Sequence, residues 1–312
     1  MTKRDNSIGV FAALIPNIIF GFSFLFSKIA LSVAHPLIIL AVRFTLAFLI
    51  LNVLWAVGAV RLNFKDKNIK KILIMAVCQP LLYFIFELYG INSTSSAISG
   101  VIISLVPIAV IIISSVFLKE KPTVLQIAFS CISLLSVAAI SILSNNGNKN
   151  SITGVVLLLC AVVCAAVFNI LSRGEAEKFT PVERTYMMFA IGAVGFDVIA
   201  VAFLKGQFLS ELIVAISSYD FCFAMFYLAG LSSIAAFLLY NWATTKIDAV
   251  RASSFSNVIT VVSVFAGVVI NGEKLTILQF VFCALIIIGV YGANRPKNIE
   301  IKRHLWYNKG RR

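Results

Sequence analysis

Three ionisable side chains interrupt long apolar runs of this chain. Arg43 and Glu87 lie about 10 and about 6 Å from one end of their runs, and Asp197 lies about 10 Å from an end of its own. Charges inside apolar segments are costly, so they mark sites of function or of charge pairing. An acid and a guanidinium at similar depth can form a two-pronged ion pair.

Glu87 therefore has two interpretations. In the functional one it binds a substrate ammonium group or a coupling proton, and Arg43 adjusts its proton affinity. In the structural one, Glu87 and Arg43 neutralise each other and fix the packing of their two helices. We favour the structural role for Arg43 and leave both open for Glu87. Asp197 has no basic residue at its depth, and is either protonated, in contact with water, or part of a proton path.

Carboxamide and aromatic side chains recur within the same apolar runs. A carboxamide in lipid is costly, so each should face a helix bundle or a cavity. Hydrogen bonding between helices is the alternative to substrate binding for these residues. Aromatic faces together with amides suit a zwitterionic or cationic organic molecule. The predicted substrate-binding residues are Asn17, Tyr83, Glu87, Asn169, Tyr240, Asn241, Trp242 and Asn257.

Patterns typical of catalytic or metal sites are missing from the sequence. The two histidines, His35 and His304, lie outside the apolar runs, and there is no His-Glu-x-x-His, Gly-x-Ser-x-Gly or Walker pattern. The six cysteines all fall inside apolar runs, where a cysteine usually acts as a small hydrophobic residue. We therefore predict no enzyme activity, no catalytic residues, no cofactor, no metal and no disulfide.

The composition indicates that lipid surrounds the chain. Hydrophobic residues make up 60% and charged residues 12%, with a mean hydropathy of +1.00, against about 45–50% and about 25% in soluble domains. Because lipid offers the backbone no hydrogen bonds and the apolar runs do not alternate, the runs should be helices. Ile8–Ser27 is long enough to span a bilayer, so we interpret it as a retained helix and not a signal peptide.

About 20 apolar residues are needed to cross the hydrocarbon core. On that measure we predict an all-α membrane protein with ten transmembrane helices. Pro16, Pro80 and Pro107 should interrupt three of them and free backbone carbonyls. The predicted helices span residues 8–31, 36–60, 71–91, 95–118, 122–143, 152–172, 183–204, 219–244, 249–271 and 275–293.

The basic residues are arranged for a membrane and not for nucleic acid. The net charge is +13, yet 21 of the 26 Lys and Arg residues fall in the segments on one side of the predicted bundle and three on the other. By the positive-inside rule both termini are then cytoplasmic. The tail 295–312 carries seven Lys or Arg with Trp306 and Tyr307, and it should bind anionic membrane lipids.

The two halves of the chain repeat several residues at fixed offsets. Because five helices is an odd number, the second copy must enter the membrane inverted. We predict a first repeat over residues 1–144 and a second over 151–294. Glu120 and Glu273 lie at helix starts, where an acid suits the dipole, and we assign them to the fold. The matched pairs are Gly9 with Gly154, Pro36 with Pro181, Glu120-Lys121 with Glu273-Lys274, Thr123 with Thr276, and Gln126 with Gln279.

These features resemble the drug/metabolite transporter superfamily, in particular its bacterial EamA-type members. The residues that carry the resemblance are Phe20-Gly21-Phe22-Ser23, Lys28, Pro36, Arg43, Ser96-Ala97, Pro107, Leu118-Lys119-Glu120-Lys121, Arg251-Ala252-Ser253 and Gly272-Glu273-Lys274-Leu275-Thr276. The chain departs from the family pattern at Phe20, where Trp is common, at Thr260, where proline is frequent, and at Glu87, where the residue is usually neutral. The resemblance implies exporters or exchangers of amino acids, amines, nucleotide-like metabolites or drugs.

The expected function is transport of a small organic metabolite, such as an amino acid or amine, across the cell membrane. Transport would be secondary-active or facilitative, because no ATP-binding element is present, and protons are a possible coupling ion. Alternating access between inverted repeats places the substrate site near the midplane. A lipid or headgroup flippase of the same fold is the alternative.

The topology can be tested by single-cysteine labelling in a cysteine-free background. We expect residues 145–150 and 205–218 to be external, and residues 61–70, 173–182 and the C-terminus to be internal. An impermeant reagent should therefore reach a cysteine at position 147 from outside intact cells. Labelling of that cysteine only from the inner side would contradict the predicted orientation.

Overall fold

A computed structural model of the protein describes most of the chain, and every regular element in the described residues is helical. The described residues are 3–65, 67–93, 102–103, 105–118, 122–143, 152–271 and 276–293. Several predictions fall outside them. These concern Ser96-Ala97, Glu120-Lys121, the segment 145–150, Glu273-Lys274 and the tail 295–312.

The helices follow the apolar runs closely. Five of those described are long and apolar enough to cross a membrane: Ser7–Leu31, Pro36–Ala56, Ile152–Gly174, Pro181–Ile216 and Tyr219–Lys246. The α-helices are α1 (Lys3–Leu31), α2 (Pro36–Ala56), α3 (Lys70–Ala76), α4 (Tyr83–Ser93), α5 (Val106–Phe117), α6 (Val124–Leu143), α7 (Ile152–Gly174), α8 (Pro181–Leu204), α9 (Phe208–Ile216), α10 (Tyr219–Met225), α11 (Ala236–Lys246), α12 (Ala249–Ser254), α13 (Val258–Asn271) and α14 (Ile277–Ala293).

Each half of the chain contains one helical segment that is widened to π-helical hydrogen bonding. The first widened segment, Val77–Leu82, joins α3 to α4, and the second widened segment, Phe226–Ala235, joins α10 to α11; both have π-helical hydrogen bonding. In the first, Gln79 is extended and Pro80 supplies no N–H, so the regular ladder is broken there as predicted. Such segments often occur at functional sites.

The other two prolines do not break their helices. Pro16 lies inside the continuous α1, and Pro107 lies in the first turn of α5, where its missing N–H needs no partner. The predicted interruption at Pro16 is therefore wrong, whereas at Pro107 an α-helix begins within the predicted helix 95–118.

A helix absent from the sequence prediction follows α8. The segment 205–218, expected to be a loop, contains α9. Leu212 and Ala215 of α9 pack toward α10, while Leu209 and Ile213 are 66% and 59% exposed. A helix that is apolar on its outer side as well as its inner side is typical of contact with lipid.

Helix packing occurs in related pairs. Helix α1 packs against α11 and α13, and α7 packs against α4 and α5, while α2 contacts α8 and α6 contacts α14. Close approaches follow the same pairing. A Cβ added to Gly9 would lie 2.7 Å from the Cβ of Lys246, and one added to Gly90 would lie 2.6 Å from Cγ of Leu158. Glycine allows the backbones to approach this closely.

The repeated Thr-x-x-Gln pattern forms the same cap in both halves. At the start of α6, the Gln126 N–H donates to Thr123 Oγ1 at 3.2 Å, and the Thr123 N–H donates to Gln126 Oε1 at 2.9 Å. At the start of α14, the Gln279 N–H donates to Thr276 Oγ1 at 3.2 Å, and the Thr276 N–H donates to Gln279 Oε1 at 3.0 Å. These reciprocal capping boxes satisfy backbone donors that a helix start leaves unpaired. The motif therefore serves the fold.

Charged contacts join the α2–α3 loop and the start of α3 to the α7–α8 loop and the start of α8. Lys67 Nζ lies 2.8 Å from Glu183 Oε2, and the Asn63 N–H donates to Glu183 Oε1 at 3.0 Å. Lys71 Nζ lies 3.2 Å from Glu175 Oε1. The two loops therefore lie at the same end of the bundle.

Substitution of Gly289 should destabilise the α6–α14 contact. An added Cβ would lie 2.8 Å from the carbonyl oxygen of Phe129 and 3.0 Å from the backbone nitrogen of Ser133, so Gly289→Ala must separate the two helices. Overpacking of this kind costs about 1–3 kcal/mol. We expect a lower midpoint of thermal unfolding in detergent micelles. Gly206→Ala is the matched control, because an added Cβ there has no atom within 4 Å; equal midpoints for the two variants would contradict the packing.

Candidate functional site

Arg43 of α2 reaches the second widened segment. Its Nε donates to Ser233 Oγ at 2.9 Å and its Nη2 donates to Ser232 Oγ at 3.0 Å. Ser232 also hydrogen-bonds Ser23 of α1 at 2.9 Å. Arg43 is only 5% exposed, and its Cζ lies 5.3 Å from the ring centroid of Phe84. Neutral hydroxyls and an aromatic face therefore hold this guanidinium.

Glu87 lies one turn after Tyr83 on α4, directly beyond the first widened segment. The Tyr83 hydroxyl donates to Glu87 Oε1 at 2.7 Å, as residues four apart on a helix can. Glu87 is close enough for its charge to act on Arg43, but no nitrogen of Arg43 lies within 4.0 Å of its carboxylate oxygens. The two side chains therefore do not form a direct ion pair, because Ser232 and Ser233 accept from the guanidinium instead; the functional interpretation of Glu87 stays a prediction.

Asp197 is separate from this charge pair. It lies on α8, where its Oδ2 accepts a hydrogen bond from Thr45 Oγ1 of α2 at 2.8 Å. The neighbouring ring of Phe196 stacks on Phe44 with centroids 5.1 Å apart. Asp197 thus joins α2 to α8 through a hydroxyl, which agrees with its lack of a basic partner in the sequence.

Asn169 and Tyr240 form a direct contact between α7 and α11. The Tyr240 hydroxyl donates to Asn169 Oδ1, and Asn169 Nδ2 donates to the carbonyl of Ala165 at 2.8 Å. Both residues are buried, and aromatic rings surround them. Phe168 lies 6.1 Å from the Tyr240 ring, and Phe237 lies 6.3 Å from Phe168.

The remaining predicted residues lie in separate places. Asn17 is buried and donates to the carbonyl of Ala13 in its own helix at 2.7 Å. Asn257 Nδ2 donates to Ser133 Oγ of α6 at 2.9 Å. Trp242 is partly buried against the main hydrophobic core. The structure therefore does not gather all eight predicted residues into one cluster.

Arg184 is a buried charge that the sequence prediction did not single out. It is 0% exposed, and its Nη1 donates to Ser172 Oγ at 2.8 Å and Thr244 Oγ1 at 2.9 Å. It also donates to the backbone carbonyls of Ser172 and Asn241. Ser172 and Thr244 lie in the last turns of α7 and α11, where the helix dipole favours a cation, and Asn241 lies about one turn before Thr244.

Asn241 belongs to this Arg184 network. Its Oδ1 accepts from Ser172 Oγ at 2.7 Å, and its Nδ2 donates to Thr185 Oγ1 at 2.9 Å. The signal that could have identified Arg184 is a basic residue one turn inside an apolar helix that begins at Pro181. Because Arg184 is so close to the α7–α8 loop in the sequence, its charge alone does not distinguish it from the exposed charges of that loop.

Comparisons with known proteins point to one family. The profile of the EamA-like transporter family matches residues 7–142 and again residues 152–295. The chain is 34% identical to the uncharacterized transporter YcxC of Bacillus subtilis, over 97% of this chain and 98% of that protein. It is 26% identical to an uncharacterized transporter of Archaeoglobus fulgidus, over 87% and 93% of the two chains. A crystal structure at 16% identity shares the fold, with a TM-score of 0.71 over 94% of this chain and 97% of the other.

Removal of the Arg184 guanidinium should destabilise the fold. Hydrogen bonds to a charged group contribute about 1.5–3 kcal/mol, so Arg184→Gln should lower the midpoint of thermal unfolding in detergent. Arg61→Gln is the matched control, because Arg61 is exposed. Equal midpoints for the two variants would show that the network does not stabilise the protein.

Proposed function

Because the chain belongs to the EamA-like transporter family, we propose that it exports a small organic metabolite such as an amino acid or amine. Members of this family are transporters and not enzymes, so the predicted family and the predicted lack of enzyme activity are both confirmed. The chain is an integral membrane transporter. Transport is secondary-active or facilitative, and the bacterial relatives favour the cell membrane as its location.

The observation that carries this function is the pair of widened segments. Val77–Leu82 and Phe226–Ala235 each follow a helix of seven residues, and they lie in different halves of the chain. Transporters bind solutes where paired helices are interrupted near the midplane, since irregular backbone is tolerated in a membrane only beside protein or a cavity. Arg43 is bonded to one segment, and Glu87 follows the other.

The related helix contacts support ten transmembrane helices in two inverted repeats, residues 1–144 and 151–294. The contacts of α1 with α11 and α13 match those of α7 with α4 and α5. The ion pair between Lys67 and Glu183 supports a common end of the bundle for the two segments predicted to be cytoplasmic, and the excess of Lys and Arg on that side favours cytoplasmic termini. In this arrangement the two repeats rock against each other and expose one site to each side in turn.

A lipid or headgroup flippase is the second candidate. An apolar cavity lies between the outer parts of α2, α4 and α8, and a lipid chain is the molecule that suits an apolar lining. Its lining residues are Leu37, Leu40, Ile85, Tyr89, Ile199 and Phe203. Polar groups there contribute almost nothing, so this cavity suits the tail of an amphiphile better than a polar metabolite.

A reconstituted system can separate the two functions. We expect proteoliposomes to exchange labelled amino acids or amines across the bilayer, by counterflow against the same unlabelled solute. Empty liposomes are the control. Movement of fluorescent phospholipid between leaflets, with no solute exchange in a panel of amino acids, amines, carboxylates and nucleosides, would instead establish the flippase.

A further inference from the structure

Arg43 and Glu87 are opposite charges held near each other without a direct contact. The guanidinium of Arg43 donates to hydroxyls of Ser232 and Ser233, and the Glu87 carboxylate accepts from the Tyr83 hydroxyl. Neither has an oppositely charged atom within 4.0 Å among the described residues. Separated charges in a medium of low dielectric are costly, and direct pairing would lower that cost.

The two widened segments explain why the charges stay apart. Ser232 and Ser233 lie inside Phe226–Ala235 and fix the guanidinium from one side. Tyr83 opens α4 immediately after Val77–Leu82 and fixes the carboxylate from the other. Each charge is held by a different half of the chain. A ligand that contacts both charges would therefore contact α2 and α4 of the first half, and the Arg43 end of the site is tied to the second half through Ser232 and Ser233.

We infer that Arg43 and Glu87 are the two ends of a binding site for a zwitterion, with the substrate carboxylate on Arg43 and its ammonium on Glu87. This assignment rests on the proposed transport function and specifies its substrate class. A ligand with only a positive charge would be attracted by Glu87 but repelled by Arg43. A ligand with only a negative charge would be attracted by Arg43 but repelled by Glu87. A molecule with both charges neutralises both residues.

The chemistry of the surrounding groups suits an amino acid. Guanidinium binds carboxylate through two parallel N–H donors, and the Arg43 contacts to serine use Nε and Nη2, which leaves Nη1 for a ligand. Tyr83 and Phe84 provide adjacent rings with centroids 5.2 Å apart. Because Phe84 lies over the Arg43 guanidinium, these rings border the carboxylate end of the site and suit an apolar side chain there. The site therefore matches an α-amino acid with an apolar side chain.

The first test uses competition against the wild-type protein in proteoliposomes. Counterflow of labelled L-leucine, L-phenylalanine and L-threonine is measured with unlabelled competitors that lack one charge, namely 3-methylbutylamine and 4-methylpentanoate for L-leucine. We expect each single-charge competitor to inhibit at least about tenfold more weakly than the intact amino acid, since each leaves one buried charge unpaired. Equal inhibition by the amine would overturn the zwitterion site.

The second test uses charge-neutralising variants with matched controls. Glu87→Gln should raise the apparent KM for the amino acid about tenfold or more, and should make 4-methylpentanoate a better competitor relative to the amino acid. Arg43→Gln should also raise the apparent KM for the amino acid about tenfold or more, and should make 3-methylbutylamine a better competitor relative to the amino acid. Asp220→Asn and Arg61→Gln change the same charges at exposed positions and should leave both measurements unchanged. A purely structural role would not reverse the preference between competitors.

The outcomes separate the site from the function. Transport of amines or nucleosides without transport of any amino acid would overturn the site and leave the transporter function standing. Lipid movement alone, or no movement of any probe, would overturn both. If Arg43→Gln elutes as an aggregate on size exclusion, Arg43→Lys is measured instead; it keeps the charge but loses the planar fork, so the apparent KM should rise while the preference between competitors stays that of the wild type. Full transport and unchanged preference in folded Glu87→Gln would also overturn the site.

Discussion

A backbone hydrogen-bonding group in the hydrocarbon core must find its partner within the protein. This constraint produces the continuous helices, and it also limits where a helix can be irregular. The two widened segments depart from the regular ladder, and each is packed against other helices of the bundle. The reciprocal capping boxes at Thr123 and Thr276 follow from the same constraint. Function is therefore confined to the few places where the bundle can shield irregular backbone.

Two buried guanidiniums illustrate two ways of accepting a charge in such a bundle. Arg184 lies among the last turns of two helices, whose carbonyls carry partial negative charge. The direct contacts of Arg43 are with hydroxyls and aromatic faces, and these neutral contacts do not neutralise its positive charge. In the first arrangement, four oxygen atoms of the protein accept hydrogen bonds from the guanidinium. The second acquires a counter-charge when a ligand binds, which distinguishes a residue of the fold from a residue of the site.

Most of the fold could be predicted from the sequence, because the thickness of a bilayer sets the length of an apolar run. The described helix ends, such as Leu31, Leu204 and Lys246, fall within a few residues of the predicted ones. Partners of polar side chains could not be predicted, since they depend on how helices rotate against one another. The hydrogen bond from Asn257 to Ser133 of α6 is an example of a contact that the sequence does not predict. Helix α9 was missed because nine residues are too few to register as a span.

The charged contacts between the two loops have a consequence for movement. Lys67 with Glu183 and Lys71 with Glu175 each join a residue of the first half to a residue of the second. Separation of the halves at this end must break both contacts and hydrate four charges. Lysine side chains here are partly exposed, at 25% and 62%, so dissolved ions can screen their attraction. The opening of this end is thus coupled to the ionic strength of the compartment it faces, and a rise in salt on that side alone would speed the separation.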